Sequence, residues 1–509
     1  MTKGHIWLSM LLLATIALTA GCRPAEGATP ARVAAATAEA TATSWPTETL
    51  QPTAIPAPSD TPEPTATPQP TVTPQPTYTP TPTSTPLPTA TATATPTPAD
   101  PLAGVNPKGQ ELLFWHASTK PHADVLRALV EEFNAGNEWG IRVRTEYGGS
   151  YNDLYKKVLA AITAGETPDL AVAYQNQVAV YARSGAIAPL DAYIASALYG
   201  LTADDREDIF ASFLEADRYP EYGDQMLSFP PNRSALLMYY NVDMLKSLGY
   251  DGVPPATWDR FAEMCERAAK AGSKGFAIFE MTSSFSNMVF SRGADVISAD
   301  GKRATYNGPE GVEALTLIRD LVRKGCAYQA KDQYGDQADF IAGQVLFNFG
   351  SSAGLPYYRT GIQSSKKPFE WGVAAMPHGK QVERPVVDLY GPSIAVFKGR
   401  PEKQLAAWLF LRWFTQAEPG ARWAQVTGYF PIRRSSLEVA SLKQYIQKEP
   451  NYARALSLLP YGVGEPRVAA WSEIRGLISD AYSAVIRGAD PKKTLDKSVE
   501  KANALLAGH

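Results

Sequence analysis

Hydrophobic and polar residues between positions 111 and 190 repeat with two alternating periods. Residues 112–115 (LLFW) and 170–174 are short apolar runs with the length of buried parallel strands. Positions 141–147 alternate, which also indicates a strand. The segments between them carry apolar residues at helical spacing, and the face of the second one consists of Tyr151, Leu154, Tyr155, Val158, Leu159 and Ile162. This order predicts a parallel sheet with right-handed crossovers and helices on its faces.

Aromatic and small polar residues gather where these predicted strands end. Trp115, the GGSY run at 148–151, and Tyr174 with Gln175 all occupy such positions. Ligands of open α/β sheets bind beyond the carboxyl ends of the strands. Tyr151 also begins a predicted helix, whose first backbone N–H groups have no partner within the helix. We therefore expect a small-molecule site at this edge of the sheet.

The pattern continues as α/β after residue 229. Two prolines precede an apolar run at residues 236–240, which predicts a strand that crosses between lobes. Further strands are predicted at 274–280, 344–349, 371–377 and 391–397, and further helices at 309–324, 334–342 and 402–414. Beyond residue 436 the chain is expected to be mostly helical.

The first 22 residues have the pattern of an export signal. Lys3 and His5 precede an apolar run that ends at Leu18, and small residues precede Cys22. This resembles a bacterial lipoprotein signal, in which Cys22 becomes the lipidated first residue and anchors the protein to the membrane. A plain signal peptide with an incidental cysteine is the alternative.

Residues 23–108 are rich in alanine, threonine and proline. A six-residue repeat (TPEPTA, TPQPTV, TPQPTY and so on) runs from 61 to 90, and large apolar residues are nearly absent. Such a segment cannot offset its ordering entropy by burial, and its prolines favour an extended chain. We expect a disordered linker that holds the folded part away from the membrane.

The folded part, residues 109–509, is longer than one ordinary hydrophobic core and suggests two lobes. The net charge of −3 gives no long-range attraction for nucleic acid. The five histidines are scattered, and we expect no metal and no cofactor. Besides Cys22 the chain has only Cys265 and Cys326, for which two buried free thiols are favoured over one disulfide.

Motifs in a fixed order are similar to those of one known family. FWHAS, a helix ending in FNAGN, YGGSYNDL, TAGETPDLAVAY, YYNVDMLKSLGYDGVPPATWDRF, GPSIAVFKG and a W-x-x-x-T-G-Y-x-P turn resemble the extracellular solute-binding proteins of ABC importers. The sugar-binding and glycerol-3-phosphate-binding branch is the most similar. The resemblance covers essentially all of 109–509.

This resemblance implies an α/β, two-lobed periplasmic-binding-protein fold of type II. We assign residues 109–228 plus 371–428 to an N-terminal lobe and 229–370 plus 429–509 to a C-terminal lobe. The chain would then cross between lobes near Phe229, Trp371 and Tyr429. The implied protein is a monomeric, extracytoplasmic receptor that is not an enzyme. It would capture a sugar, glycerol-3-phosphate or a glycerophosphodiester by lobe closure and deliver it to a membrane permease.

The same resemblance implies a set of ligand-binding residues. They are Tyr151, Tyr174, Gln175, Asn232, Ser234, Ser351, Ser352, Gly391, Tyr429 and Arg467. Trp115 is added because of its position on the first predicted strand, where it would line the cleft or pack at the hinge. Arg467 falls where the branch places an arginine that binds phosphate. Gln175 stands where the branch has glutamate, and this departure makes a larger phosphodiester or an uncharged sugar more plausible than free glycerol-3-phosphate.

Two other classes of protein remain open from the sequence. The run Gly350–Gly354 fits the G-x-S-x-G motif of serine hydrolases with Ser352 as nucleophile. Only His378 and His509 follow it, so that a catalytic triad is poorly supported. A wall-attached adhesion module would explain the linker, but it would not explain the repeated βα pattern.

Overall fold

Two β-sheets with helices packed around them make up the part of the chain that the structure describes. This structure is a computed structural model that describes residues 100–279, 282–332 and 334–508. Its strands are β1 (Glu111–His116), β2 (Arg142–Tyr147), β3 (Leu170–Ala173), β4 (Arg218–Tyr219), β5 (Gln225–Met226), β6 (Ser234–Asn241), β7 (Lys274–Ile278), β8 (Ala327–Gln329), β9 (Val345–Ser351), β10 (Trp371–Ala374), β11 (Val387–Tyr390), β12 (Ser393–Val396) and β13 (Gly462–Gly464).

Helices connect and cover these strands. They are α1 (His122–Gly136), α2 (Tyr151–Ala164), α3 (Gln175–Arg183), α4 (Asp191–Ala195), α5 (Ala203–Asp208), α6 (Ala211–Glu215), α7 (Val242–Ser247), α8 (Trp258–Lys270), α9 (Thr282–Phe290), α10 (Pro309–Arg323), α11 (Gly335–Ile341), α12 (Leu355–Gln363), α13 (Pro401–Phe414), α14 (Ala417–Thr427), α15 (Arg434–Glu438), α16 (Ala440–Lys448), α17 (Pro450–Leu456), α18 (Trp471–Ile486) and α19 (Pro491–Ala507).

The smaller sheet has the order β12-β3-β1-β2. β1 pairs in parallel with β2 and β3, so that Leu112 lies opposite Val143 and Phe114 lies opposite Leu170. β12 closes the other edge, antiparallel to β3. The strand–helix–strand–helix–strand unit predicted for residues 111–190 is therefore confirmed.

The larger sheet has the order β13-β11-β6-β9-β7-β8, and β10 also pairs with β6. β6 is its central strand and runs antiparallel to β9, β10 and β11. Seven of its eight residues are buried, because apolar clusters cover both of its faces. This is the strand that the apolar run at 236–240 predicted. β4 and β5 form a separate two-stranded ribbon.

The chain passes between the two sheets along neighbouring segments. Phe229, near which we expected a crossing, pairs with Ile394 of β12 just before the chain enters β6. We also expected a crossing near Trp371, but this is wrong, because β10 and β11 both pair with β6 in the larger sheet. The chain instead returns to the smaller sheet at Gly391, between β11 and β12.

Apolar faces of the predicted helices form the core. Leu126, Leu129, Val130 and Phe133 of α1 are all buried, and the ring of Phe133 lies 5.1 Å from that of Phe410 on α13. Full burial of each such side chain contributes about 1.5–3 kcal/mol to stability. The cluster extends from the smaller sheet to one face of β6, and a second cluster covers the other face.

The folded part begins earlier in the chain than predicted. Within the expected linker, Leu102 is buried, and the Asp100 carboxylate accepts hydrogen bonds from the Leu102 backbone N–H and the Ser196 hydroxyl, both at 2.8 Å. The boundary at residue 108 is therefore wrong, because these two residues already pack on the helical layer. The predicted signal peptide at 1–22, with Cys22, and the linker as far as residue 99 lie outside the described residues.

Cys265 and Cys326 are both buried and are not joined by a disulfide, as favoured from the sequence. Within the described ranges, no helix combines the length and the apolar character needed to cross a bilayer.

Candidate functional site

Three tyrosines meet where the strands of the smaller sheet end. Tyr151 is the first residue of α2, whose N-terminus is closed by reciprocal hydrogen bonds between Ser150 and Asp153. Tyr174 follows β3 directly, and its ring centre lies 5.1 Å from that of Tyr151. The Tyr151 hydroxyl lies 3.5 Å from the Tyr429 hydroxyl. We call Tyr151, Tyr174 and Tyr429 the tyrosine cluster.

Tyr429 reaches this cluster from the turn after α14. Gly428 ends the helix with a φ of +71°, and a Cβ at this position would lie 2.6 Å from the Ser352 carbonyl oxygen. Glycine is therefore required, both for the backbone conformation and for the close approach. Burial raises the pKa of Tyr151 and of Tyr429, so that their hydroxyls stay protonated and can donate hydrogen bonds.

Gln175 lies beside the cluster with a fixed orientation. Its Nε2 donates to the Gly391 carbonyl at 3.2 Å and to the Ser393 hydroxyl at 2.9 Å. A carbonyl can only accept, and the Ser393 hydroxyl already donates its proton to Asp217 at 2.9 Å. The nitrogen must therefore face Gly391 and Ser393, and Oε1 remains as a hydrogen-bond acceptor for another group.

A buried ion pair supports this arrangement, and it was not predicted from the sequence. The Arg233 guanidinium, 2% exposed, contacts the Asp217 carboxylate, 0% exposed, and also donates to the Ser393 hydroxyl at 3.1 Å. Ser228 donates to the other carboxylate oxygen. The two charges lie 16 positions apart in the sequence, in segments without clear periodicity, so that no sequence pattern reveals the pair.

A small cavity of about 20 Å³ lies between the two sheets. Gln175 and Ala216 line it from the side of the smaller sheet, and Tyr390, Glu465 and Trp471 line it from the side of the larger one. This volume has room for roughly one water molecule. The cavity therefore adjoins predicted binding residues and is built from both parts of the molecule.

Glu465 lines the cavity and was not among the residues predicted from the sequence. Its Oε1 accepts a hydrogen bond from the Ser283 hydroxyl at 2.8 Å and contacts the Arg475 guanidinium. Its Oε2 lies 3.4 Å from the Trp471 indole nitrogen, which donates to it. The only feature that marks it in the sequence is a carboxylate next to Pro466 in the GEPR segment. The resemblance predicted a binding role for Arg467, two residues later, and not for Glu465.

Arg467 is engaged differently from the phosphate-binding role that we expected. Its Nη1 donates to the backbone carbonyls of Glu215 and Arg218, the latter at 3.2 Å. The Glu215 carboxylate lies 4.0 Å away. The guanidinium thus fixes the turn at 465–469 to the segment around β4, and it is not among the residues that line the cavity.

Of the other predicted residues, some lie beside Gln175 or the buried ion pair, whereas Trp115 lies apart from them. Ser234 and Gly391 lie with Gln175, since the Ser234 hydroxyl donates to the Tyr390 carbonyl at 2.9 Å. Asn232 is buried next to Arg233, and its Oδ1 has no hydrogen-bond partner among the described residues. Trp115, which belongs to β1, packs against α2 instead, and the Lys157 ammonium lies 3.9 Å from its ring centre. Its ring makes no contact with the rings of the tyrosine cluster.

Ser351 and Ser352 support the turn beneath Tyr429. The Ser351 hydroxyl accepts from the Ala353 N–H at 3.1 Å. Ser352 is 0% exposed, and its hydroxyl accepts from the Ala235 N–H at 3.3 Å. His378 is the histidine that a triad would need, but its Nδ1 is hydrogen-bonded to the Gly379 carbonyl oxygen. The described residues therefore do not assemble a Ser352-centred catalytic triad.

Comparison with known proteins decides the family. A model of the bacterial extracellular solute-binding protein family matches residues 128–454, which is more than half of the chain. The chain belongs to this family. As a solute-binding protein it works outside the cytoplasm and binds a small molecule, and the predicted type of function, a substrate-binding protein of an ABC transporter, is confirmed.

The relatives of this solute-binding protein share most of its folded length. The sn-glycerol-3-phosphate-binding periplasmic protein UgpB of Salmonella paratyphi A is 26% identical over 412 residues, covering 77% of this chain and 92% of that protein. UgpB from Mycobacterium tuberculosis, solved in complex with glycerophosphocholine, has a TM-score of 0.69 at 23% identity and covers 78% of this chain and 98% of its own. The cyclic alpha-maltosyl-1,6-maltose binding protein from Arthrobacter globiformis has a TM-score of 0.66 at 23% identity, with 78% and 99% covered.

These structural likenesses confirm the two-lobed α/β fold of periplasmic binding proteins. The relatives are named as binding proteins, and none of these comparisons supports the serine hydrolase or the adhesion module.

Proposed function

We propose that this protein captures a small hydroxyl-bearing solute, a sugar or a polyol phosphate, between its two lobes and delivers it to an ABC permease. One observation carries the proposal: Gln175, which directly follows Tyr174 of the tyrosine cluster, and Glu465, which follows β13 of the larger sheet, line the same cavity. Aromatic rings stack on the C–H faces of polyols, and amide and carboxylate groups bind their hydroxyls. The names of the relatives support the same classes of solute.

The proposed mechanism is closure. The cavity has room for roughly one water molecule, so that a solute with several hydroxyls can enter only if the two lobes separate. Phe229 and Gly391 mark neighbouring crossings on which such a rotation would turn. The solute then shifts the equilibrium towards the closed form by its differential affinity for that form.

Anchoring at Cys22 completes the proposal. A lipid on this residue and the proline-rich linker would keep a monomeric receptor near its permease. A Cys22→Ala variant should then leave the detergent phase after phase partitioning, while the wild-type chain stays in it. An unchanged distribution would contradict the lipid anchor without affecting the solute-binding function.

The test is a binding screen of the full-length protein. We expect one of the neutral sugars, glycerol-3-phosphate or glycerophosphodiesters to raise its thermal unfolding temperature, since a ligand at 100 times its dissociation constant adds about 2.7 kcal/mol. Tyr151→Phe removes a hydroxyl from the tyrosine cluster and should weaken binding by roughly 2- to 10-fold, which corresponds to one hydrogen bond of about 0.5–1.5 kcal/mol. Tyr250→Phe is the matched control, because its hydroxyl bonds Glu263 on α8 instead. If no solute of these classes binds, the proposed function is wrong.

A further inference from the structure

The polar wall of the cavity consists of groups whose charges are already balanced. Three arginines lie in or next to it: Arg233, Arg467 and Arg475. Arg233 is buried against Asp217, and Arg475 contacts Glu465. Arg467 donates to two backbone carbonyls and lies 4.0 Å from the Glu215 carboxylate. None of the three is positioned as an uncompensated cation, so that the wall has no surplus positive charge with which to neutralise a phosphate.

Two side chains of this lining, Gln175 from one lobe and Glu465 from the other, present the same kind of hydrogen-bonding atom to the cavity. Gln175 offers Oε1, because both of its Nε2 hydrogens are used on Gly391 and Ser393. Glu465 offers a carboxylate, whose oxygens can accept about four hydrogen bonds in total and already receive those of Ser283, Arg475 and Trp471. A ligand between these two side chains must therefore donate.

Hydroxyl groups of a neutral solute meet this requirement, whereas the oxygens of an ionised phosphate do not. Phosphate oxygens would face acceptors on both sides and would be buried without a counter-charge, which is strongly unfavourable. A quaternary ammonium group fits less well, because it cannot donate a hydrogen bond to Gln175 and because Arg475 already compensates Glu465.

We infer that Glu465 is a specificity-determining residue, which with Gln175 selects a neutral carbohydrate by accepting its hydroxyls and excludes phosphate-bearing solutes. This inference rests on the proposed function. It separates this chain in substrate class from the glycerol-phosphate-binding relatives that it resembles in sequence.

The experiment is isothermal titration of the full-length protein with two sets of probes. The first set is neutral mono-, di- and oligosaccharides, including maltose and tagatose. The second set is sn-glycerol-3-phosphate and glycerophosphocholine. We expect a neutral sugar to bind the wild type at least 100-fold more tightly than either phosphate-bearing probe.

Glu465→Gln provides the decisive variant. It should weaken binding of the neutral sugar about 10-fold and strengthen binding of glycerol-3-phosphate by at least 10-fold, because it removes one negative charge from beside Arg475. A role in folding alone would not reverse the preference. Glu465→Asp keeps the negative charge on a shorter side chain. It should therefore still exclude phosphate-bearing probes, and its affinity for the sugar should fall at least 3-fold. Lys497→Gln, on the exposed face of α19, is the control and should bind as the wild type does.

Each outcome decides the inference. If either phosphate-bearing probe binds the wild type as tightly as the best sugar, the inference is overturned and the proposed function stands. If the ratio of sugar to phosphate affinity is unchanged in Glu465→Gln, the assigned role of Glu465 is overturned. If Glu465→Gln does not fold, Glu465→Asp decides, and a sugar affinity equal to that of the wild type overturns the role. If no probe in either set binds, both the inference and the proposed function fail.

Discussion

Removing the buried cation at position 233 should be one of the most damaging single changes in this protein. The Arg233→Met variant leaves the Asp217 carboxylate 0% exposed, with two serine hydroxyls, Ser228 and Ser393, as its remaining side-chain partners. Breaking a buried ion pair in this way costs about 3–5 kcal/mol, because the remaining charge is neither solvated nor compensated. An exposed pair is worth much less.

Chemical denaturation of the full-length protein measures this cost. The midpoint in urea should fall by the cost divided by the slope of the transition. The control is Lys246→Met, which breaks the exposed pair with Glu370 and should leave the midpoint nearly unchanged. In the double variant Arg233→Met/Asp217→Leu both charges are gone, so its cost should be at least about 2 kcal/mol smaller than the sum of the two single changes.

Two results would refute the reasoning about the ion pair. One is a midpoint for Arg233→Met that matches the exposed-pair control. The other is additivity of the double variant, which would mean that the two side chains do not share one interaction.

Three further predictions concern other parts of the fold. Gly428→Ala should lower the free energy of unfolding in urea by at least about 1 kcal/mol more than Gly165→Ala does. The two glycines have similar positive φ angles, but a Cβ would meet neighbouring atoms only at position 428. Equal losses of stability in the two variants would contradict this. Burial lowers the pKa of His122 to about 4 in the folded chain. Between pH 6.5 and 4 this histidine is therefore protonated in the unfolded chain and neutral in the folded chain. Stability should therefore fall between pH 6.5 and 4, by about 2 kcal/mol at pH 5 relative to a His122→Phe variant, and parallel pH profiles of the two proteins would rule this out. Cys265 and Cys326 should appear as two free thiols in peptide mass mapping without reductant, and a Cys265–Cys326 disulfide peptide would disprove this. Cys265 should not react with alkylating reagents until the protein unfolds, because burial raises the pKa of its thiol.

Elements with a single strong period were predictable from the sequence. β1, α1, β2, α2 and β3 lie within a residue or two of the predicted positions, because apolar residues recur there with only one period. β11 was missed because it is only four residues long and carries Asp388, a charged residue that is nevertheless fully buried. α9 was missed for a similar reason: its serines and asparagine are typical of a loop, yet they lie inside the larger lobe.

Which candidate site residues are neighbours was easier to predict from the sequence than the contacts of each side chain. Tyr151, Tyr174 and Gln175 were predictable as neighbours, because the ends of parallel strands meet at one edge of a sheet. The orientation of Gln175 depends on Ser393, more than 200 positions away, and only the folded chain brings the two together. The contacts of Arg467 with backbone carbonyls could not be predicted, because a motif aligns a position but does not fix the direction of its side chain.

The edge strand β12 has a consequence for the order in which the molecule is built. It pairs with β3 so that Ser393 lies opposite Ala173, about 220 residues away in the sequence. During synthesis or export the first three strands of the smaller sheet can form early from local contacts, but the outer edge of β3 stays uncovered until about 220 further residues have emerged. Such pairing over a long sequence distance slows folding, and an open strand edge invites association with other chains. Newly exported molecules should therefore depend on chaperones that shield this edge, and their vulnerability should end when the segment after Gly391 arrives.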